Sequence, residues 1–153
     1  MGFATANSVD GEMMDLAISQ ARASLETAGV PVGAVLAVAD QVIAAGHNER
    51  VQTGDPVAHG EISCLRNAGR RTSYEGTTMY TTLAPCIMCS GAILLFQIPR
   101  VVVGEAETFA GELEFLSDRG AEIVLLDDDR CVSLMREFQE RYPDVWSEDI
   151  GGR

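Results

Sequence analysis

A chain of 153 residues, 46% of them hydrophobic, is about one domain long and buries a core without disulfide staples. Its net charge of −12 argues against a nucleic-acid partner, because polyanions are held by clustered Lys and Arg. Its eleven cationic residues include no lysine, which excludes a Walker-type phosphate lysine and a Schiff-base lysine.

Residues 1–10 have neither a basic start nor an apolar stretch, and the longest apolar run, Ala34 to Ala39, is too short for a bilayer. The expectation is one soluble, cytoplasmic domain over residues 1–153 with no membrane partner. In that compartment the four cysteines are thiols rather than disulfides, so their spacing becomes informative.

In chain order, Met14, Ala17, Ile18, Ala21 and Leu25 recur at helical spacing, with Asp10 as a cap before them and Gly29 and Pro31 as stop signals. Val32 to Ala39 and Val42 to Gly46, joined by Asp40-Gln41, predict an antiparallel hairpin. His47 to Ala58 is polar loop, and a helix runs from about His59 to Ala68. Thr77 to Thr82 is a strand, Pro85 suits the first turn of a helix through about Phe96, and Arg100 to Gly104 is a further strand. Glu112 to Arg119 predicts a helix, Ile123 to Leu126 a strand, Asp129 the cap of a helix through Arg141, and Pro143 the start of a short C-terminal segment. The order α-β-β-α-β-α-β-α-β-α implies an α/β fold: three layers, α/β/α, around one five-stranded mixed sheet with helices on both faces.

Two segments carry chemistry. His59-Gly60-Glu61 opens one predicted helix and Pro85-Cys86-Ile87-Met88-Cys89 opens another. Cys86 and Cys89, three apart, share a helical face, and a helix N-terminus lowers a thiol pKa toward the thiolate that binds zinc. With His59 they make a set of three ligands, which leaves a fourth position open as in catalytic zinc sites; a structural site takes four. Glu61 is then the spare carboxylate, placed to accept a proton from water, protonate a ring nitrogen and protonate a departing amine. His-x-Glu with Pro-Cys-x-x-Cys is the signature of zinc deaminases. A thioredoxin-like redox pair would use the two cysteines and leave Glu61 unexplained. Cys64 and Cys131 read as buried apolar side chains, and His47 lacks a partner motif.

On these residues, together with Gly46-His47-Asn48, the run Thr77 to Gly91, Ile98-Pro99-Arg100 and the tail Asp144 to Gly151, the sequence resembles the fungal-type cytosine deaminases of the cytidine deaminase-like superfamily. The resemblance covers nearly the whole chain. It implies one Zn2+ per subunit on His59, Cys86 and Cys89, proton shuttling by Glu61, and hydrogen bonds to a small nucleobase from Asn48 and Asp149. Phe109 and Trp146 would wall the pocket, Gly60 and Leu83 would complete the substrate contacts, and the protein would be a homodimer, with Ala92 to Phe96 as a candidate contact surface. Hydrolysis of cytosine to uracil and ammonia is the implied reaction. Three positions depart from that family's pattern: Ala84 replaces a serine, Val51 an aromatic and Ile87 an acidic residue. Val51 would make room for a substituted cytosine or a larger heterocycle, so a guanine, isoguanine or aminotriazine deaminase is the alternative. A tRNA adenosine deaminase and a non-catalytic zinc module are the remaining rivals.

Overall fold

The computed structural model describes residues 2–152. Its elements are α1 (Asp10–Glu26), β1 (Gly33–Val38), β2 (Gln41–His47), α2 (Arg50–Thr53), α3 (Gly60–Ala68), β3 (Thr77–Leu83), α4 (Ile87–Leu95), β4 (Arg100–Glu105), α5 (Leu113–Asp118), β5 (Glu122–Leu125), α6 (Asp129–Arg141) and α7 (Pro143–Asp149). The predicted order holds, with two short helices added: α2 inside the expected loop and α7 in the expected C-terminal segment.

The strands form a five-stranded sheet in the order β2-β1-β3-β4-β5. β1 is antiparallel to both β2 and β3, while β3, β4 and β5 run parallel. Parallel neighbours need crossovers, which α4 and α5 provide. Because strand side chains alternate between faces, each strand feeds two cores. Leu36, Met79, Val101 and Ile123 face one way, onto Cys64 and Leu65 of α3, Ile93 of α4 and Leu116 of α5. Val35, Tyr80, Val102 and Val124 face the other, onto Met13, Met14, Ala17 and Ile18 of α1 and Cys131 of α6. This double burial explains why β3 and β4 carry near-continuous β-branched and apolar runs.

Two glycines let helices lie directly on the sheet. A Cβ at Gly33 would collide with the backbone of α1 at Ala17 and Ala21, and one at Gly46 would come within 2.6 Å of the Cys64 backbone N in α3. The second contact matters for function, because it seats the helix that begins beside His59.

Several local expectations shift. The hairpin turns at Ala39-Asp40, one residue earlier than expected, with Ala39 at φ 52° and a register irregularity between Leu36 and Ala37. Asp10 does not cap α1: it lies in the first turn with its carboxylate buried, while Asn7 Oδ1 accepts from the Val9 and Asp10 N–H groups. Asp128 rather than Asp129 caps α6, accepting from the Arg130 N–H. Pro85 lies just outside α4. Among the described residues no helix is long and apolar enough to cross a membrane.

Candidate active site

The two helix starts converge. His59 is the N-cap of α3 and Cys86 the N-cap of α4, both with extended backbone and neither side chain spent on capping its own helix. Cys86 Sγ lies 3.4 Å and Cys89 Sγ 3.6 Å from His59 Nδ1. Tetrahedral zinc with Zn–S near 2.3 Å and Zn–N near 2.1 Å separates sulfur from nitrogen by about 3.6 Å. The donor set and its spacing therefore fit zinc, and these three residues are the group able to hold a metal among the described residues. The imidazole is oriented from behind: its Nε2 lies 3.1 Å from the Asp149 carbonyl oxygen, so Nε2–H donates there and Nδ1 turns to the thiols.

The electrostatics suit a cation. Hydrogen bonding from Cys89, partly offset by burial and reinforced by His59, lowers the Cys86 thiol to about 4. The same Cys86–Cys89 contact, with burial, raises the Cys89 thiol well above its ordinary value. Burial disfavours a charged His59, but Cys86 and the Asp149 and Glu61 carboxylates outweigh it and raise the imidazole to about 9. The trio thus shares protons that a metal displaces on binding. Glu61 stands beside them, 3% exposed; burial drives its carboxyl up to about 7, the His59 charge opposing.

A cavity of about 290 Å³, mouth included, opens next to the trio. Asn48, His59, Gly60, Glu61, Leu83, Cys86, Phe109, Trp146 and Asp149 all line it, so every residue given a metal, proton-shuttling or substrate-contact role in the sequence, Cys89 excepted, faces this space. The strand end of β3 brings Leu83, the end of β2 brings Asn48, and the loop after β4 brings Phe109. α7 closes the far side with Trp146 and Asp149, Trp146 meeting Phe109 edge-on at 6.1 Å. Asn48 Nδ2 donates to Asp149 Oδ1 at 2.9 Å, and Asn48 Oδ1 accepts from the Arg50 N–H at 3.0 Å. Those two bonds fix which way the amide points. Burial raises the Asp149 carboxyl, with His59, Asn48 and Arg50 opposing.

Sequence reasoning missed Val32, Ala84 as a lining residue, Ile150 as a wall, and Arg50. The Arg50 contacts to Glu148 and Asp149 span almost a hundred positions, for which no local pattern exists. Val51 is corrected: it sits 44% exposed on α2 and does not line the cavity, so it makes no room for a larger ring. Ile87 is 61% exposed, also away from the cavity. Cys64 and Cys131 are buried, burial pushing each thiol up to about 12. His47 Nδ1 bonds to the Asn48 carbonyl rather than joining the metal donors.

A three-layer α/β/α fold with His59, Cys86, Cys89 and Glu61 at two helix N-termini defines a zinc-dependent deaminase. The family model for the cytidine and deoxycytidylate deaminase zinc-binding region matches residues 7–105, and the chain belongs to this family. It is 43% identical over 145 residues to the cytosine deaminase of Candida albicans, covering 93% of this chain and 97% of that protein. A tRNA-specific adenosine deaminase of Buchnera aphidicola is 41% identical over 98 residues, or 62% of this chain and 65% of that one. Among solved structures, one from work on A-to-I editing by tRNA:A34 deaminases superimposes with TM-score 0.71 at 29% identity, covering 81% of this chain and 99% of the other. A guanine deaminase from Nitrosomonas europaea shares the fold with TM-score 0.74 at 24% identity, covering 90% and 87%.

Proposed function

We propose that residues 1–153 act as one deaminase domain that hydrolyses cytosine to uracil and ammonia. The observation that carries this reading is the Asn48–Asp149 pair inside a small cavity beside the metal donors. The second Asn48 N–H and the Asp149 carboxylate offer a donor next to an acceptor, which matches a ring carbonyl adjacent to a ring N–H. A free cytosine has that edge, and in cytidine the N–H is replaced by a glycosidic bond. The cavity is small and walled by Phe109 and Trp146, so a sugar carried on the ring would meet these two aromatic side chains.

Zinc held by His59, Cys86 and Cys89 supplies Lewis acidity that lets water ionise near neutral pH. Asn48 and Asp149 orient the ring so that its amine-bearing carbon faces Glu61. Glu61 takes a proton from the attacking water and delivers it to the adjacent ring nitrogen as the C–O bond forms. It then takes the remaining proton from the newly bonded oxygen and delivers it to the exocyclic nitrogen, the C–N bond breaks, the carbonyl forms and ammonia leaves. Leu83, Gly60 and the two aromatic walls exclude other water while this happens.

The same reading places two copies of the chain together through the exposed side of α4, in a reducing cytoplasm that suits four free thiols, with neither nucleic acid nor membrane as partner. The experiment is ammonia release from cytosine, 5-methylcytosine, cytidine, guanine, isoguanine and adenosine by zinc-loaded protein, with Glu61→Ala as blank. Turnover of cytosine and not cytidine is expected. Activity confined to a purine would move the substrate, and silence on all six with zinc bound would mean a non-catalytic module.

A further inference from the structure

Arg50, outside every motif, stands where four parts of the site meet. Its Nε–H donates to the Pro56 carbonyl at 2.9 Å, tying it to the segment that runs into His59. Its backbone N–H holds Asn48 Oδ1 at 3.0 Å. Across the cavity mouth, Nη2 reaches Glu148 Oε1 at 3.3 Å and Nη1 lies 3.6 Å from Asp149 Oδ1, both on α7. The guanidinium is only 12% exposed, and Asp149 only 5%, so this contact is screened far less than a surface pair.

α7 needs such help. At seven residues it is too short to be helical on its own strength, yet it supplies Trp146 and Asp149 to the cavity and the carbonyl that orients His59. Trp146 and Asp149 of α7 and Phe109 of the loop after β4 line the cavity, so movement of α7 or of that loop widens the way in for a ligand. When α7 moves, the Arg50 bonds to Pro56 and Asn48 stay within one segment of chain, and only those to Glu148 and Asp149 break. A rigid planar fork with several donors is suited to holding one side and releasing the other.

We infer that Arg50 is a positioning residue for the reaction: a latch that holds α7 closed over the pocket and sets the Asn48–Asp149 pair at the angle that reads the substrate. The identity of that substrate rests on the function proposed above; the latch itself does not. Loss of the latch lowers the closed fraction and weakens apparent affinity in proportion, while Glu61 on α3 and the two thiols of α4 stay in place. Hydrogen bonds to charged groups make the expected rise in KM about tenfold for Arg50→Ala, with kcat changing by far less. Glu148→Ala removes one exposed arm and raises KM by a smaller factor. Arg50→Lys, which keeps the charge without the fork, falls between Arg50→Ala and the unmodified protein.

Trp146 is the single tryptophan of the chain and lies on α7, so its fluorescence reads closure without any turnover. Acrylamide quenching is expected to strengthen in Arg50→Ala and Glu148→Ala, and to stay at the parent level in Arg130→Gln, which loses a remote surface ion pair. The inference is overturned if KM and quenching both stay at the parent values, or if kcat falls at unchanged KM. Should Arg50→Ala fail to fold, Glu148→Ala decides alone, since that side chain is 67% exposed and outside the core. If the parent protein leaves cytosine untouched, the substrate assignment fails and the quenching comparison still judges the latch.

Discussion

At Glu61 a fully buried carboxylate lies beside two thiols and an imidazole without being one of the metal donors. Nothing in packing rewards a charge there; burial raises it to about 7, close to where a proton shuttle works best at neutral pH. Glu61→Gln preserves size and loses the transferable proton. The variant should keep one zinc per chain by metal analysis while kcat on cytosine falls about 10²- to 10⁴-fold; loss of metal along with activity would make Glu61 a structural ligand instead. The sequence made this residue legible because His59, Glu61, Cys86 and Cys89 form short local patterns whose chemistry is tied to spacing. Arg50 was illegible for the opposite reason: its meaning lies in contacts with Glu148 and Asp149, made only after the chain has folded. Val51 misled because position in the sequence, one residue after Arg50, says nothing about which side of a short helix faces the cavity.

At the scale of elements, the strands and the larger helices were readable from apolar periodicity, whereas α2 and α7 were not. α2 has four residues, too few to show a period, and α7 is held by Trp146 packing and by its polar ties, which become visible only in the folded chain. Asp10 shows how a cap signal is overruled. Its carboxylate accepts both Arg100 Nη1 at 2.7 Å and Arg100 Nη2 at 2.6 Å, and the Tyr80 hydroxyl at 3.1 Å, joining α1 to β4 and β3 beneath the sheet. Burial alone would raise this carboxyl, but the Arg100 pair and the Asn7 N–H hold it below the ordinary 3.8. A carboxyl depressed in the folded state adds stability at pH values above about 3.8, and that contribution drains away as pH falls through the lower folded value. Asp10→Asn should therefore cost roughly 3–5 kcal/mol at pH 7, the loss typical of a broken buried ion pair, and less at pH 3. Urea titrations at both pH values measure this; an equal loss at the two would assign the effect to packing rather than charge.

Over the whole molecule, one apolar edge points to self-association in spite of the acidic charge. Ile87, Leu95 and Phe96 of α4 and its end are 61%, 73% and 40% exposed, although α4 is the most apolar of the helices in sequence. Beside them Ile62, Leu65, Tyr74, Ala92 and Phe96 line a groove bordered by Arg66, Arg70 and Arg71. Monomeric proteins seldom leave such a contiguous patch open to water. A chain carrying −12 gathers three of its arginines around this groove, which softens the repulsion between two acidic copies where they would meet. α4 also begins at Cys86, so a second copy packed on its outer side would steady the helix that presents two of the three metal donors. Sedimentation at micromolar concentration should give a dimer, and Leu95→Glu a monomer with unchanged far-UV circular dichroism, because that side chain contributes to no core. A parent protein that sediments as a monomer would remove the second copy from the account, leaving the groove without an occupant and α4 supported by Ile93 and the sheet alone.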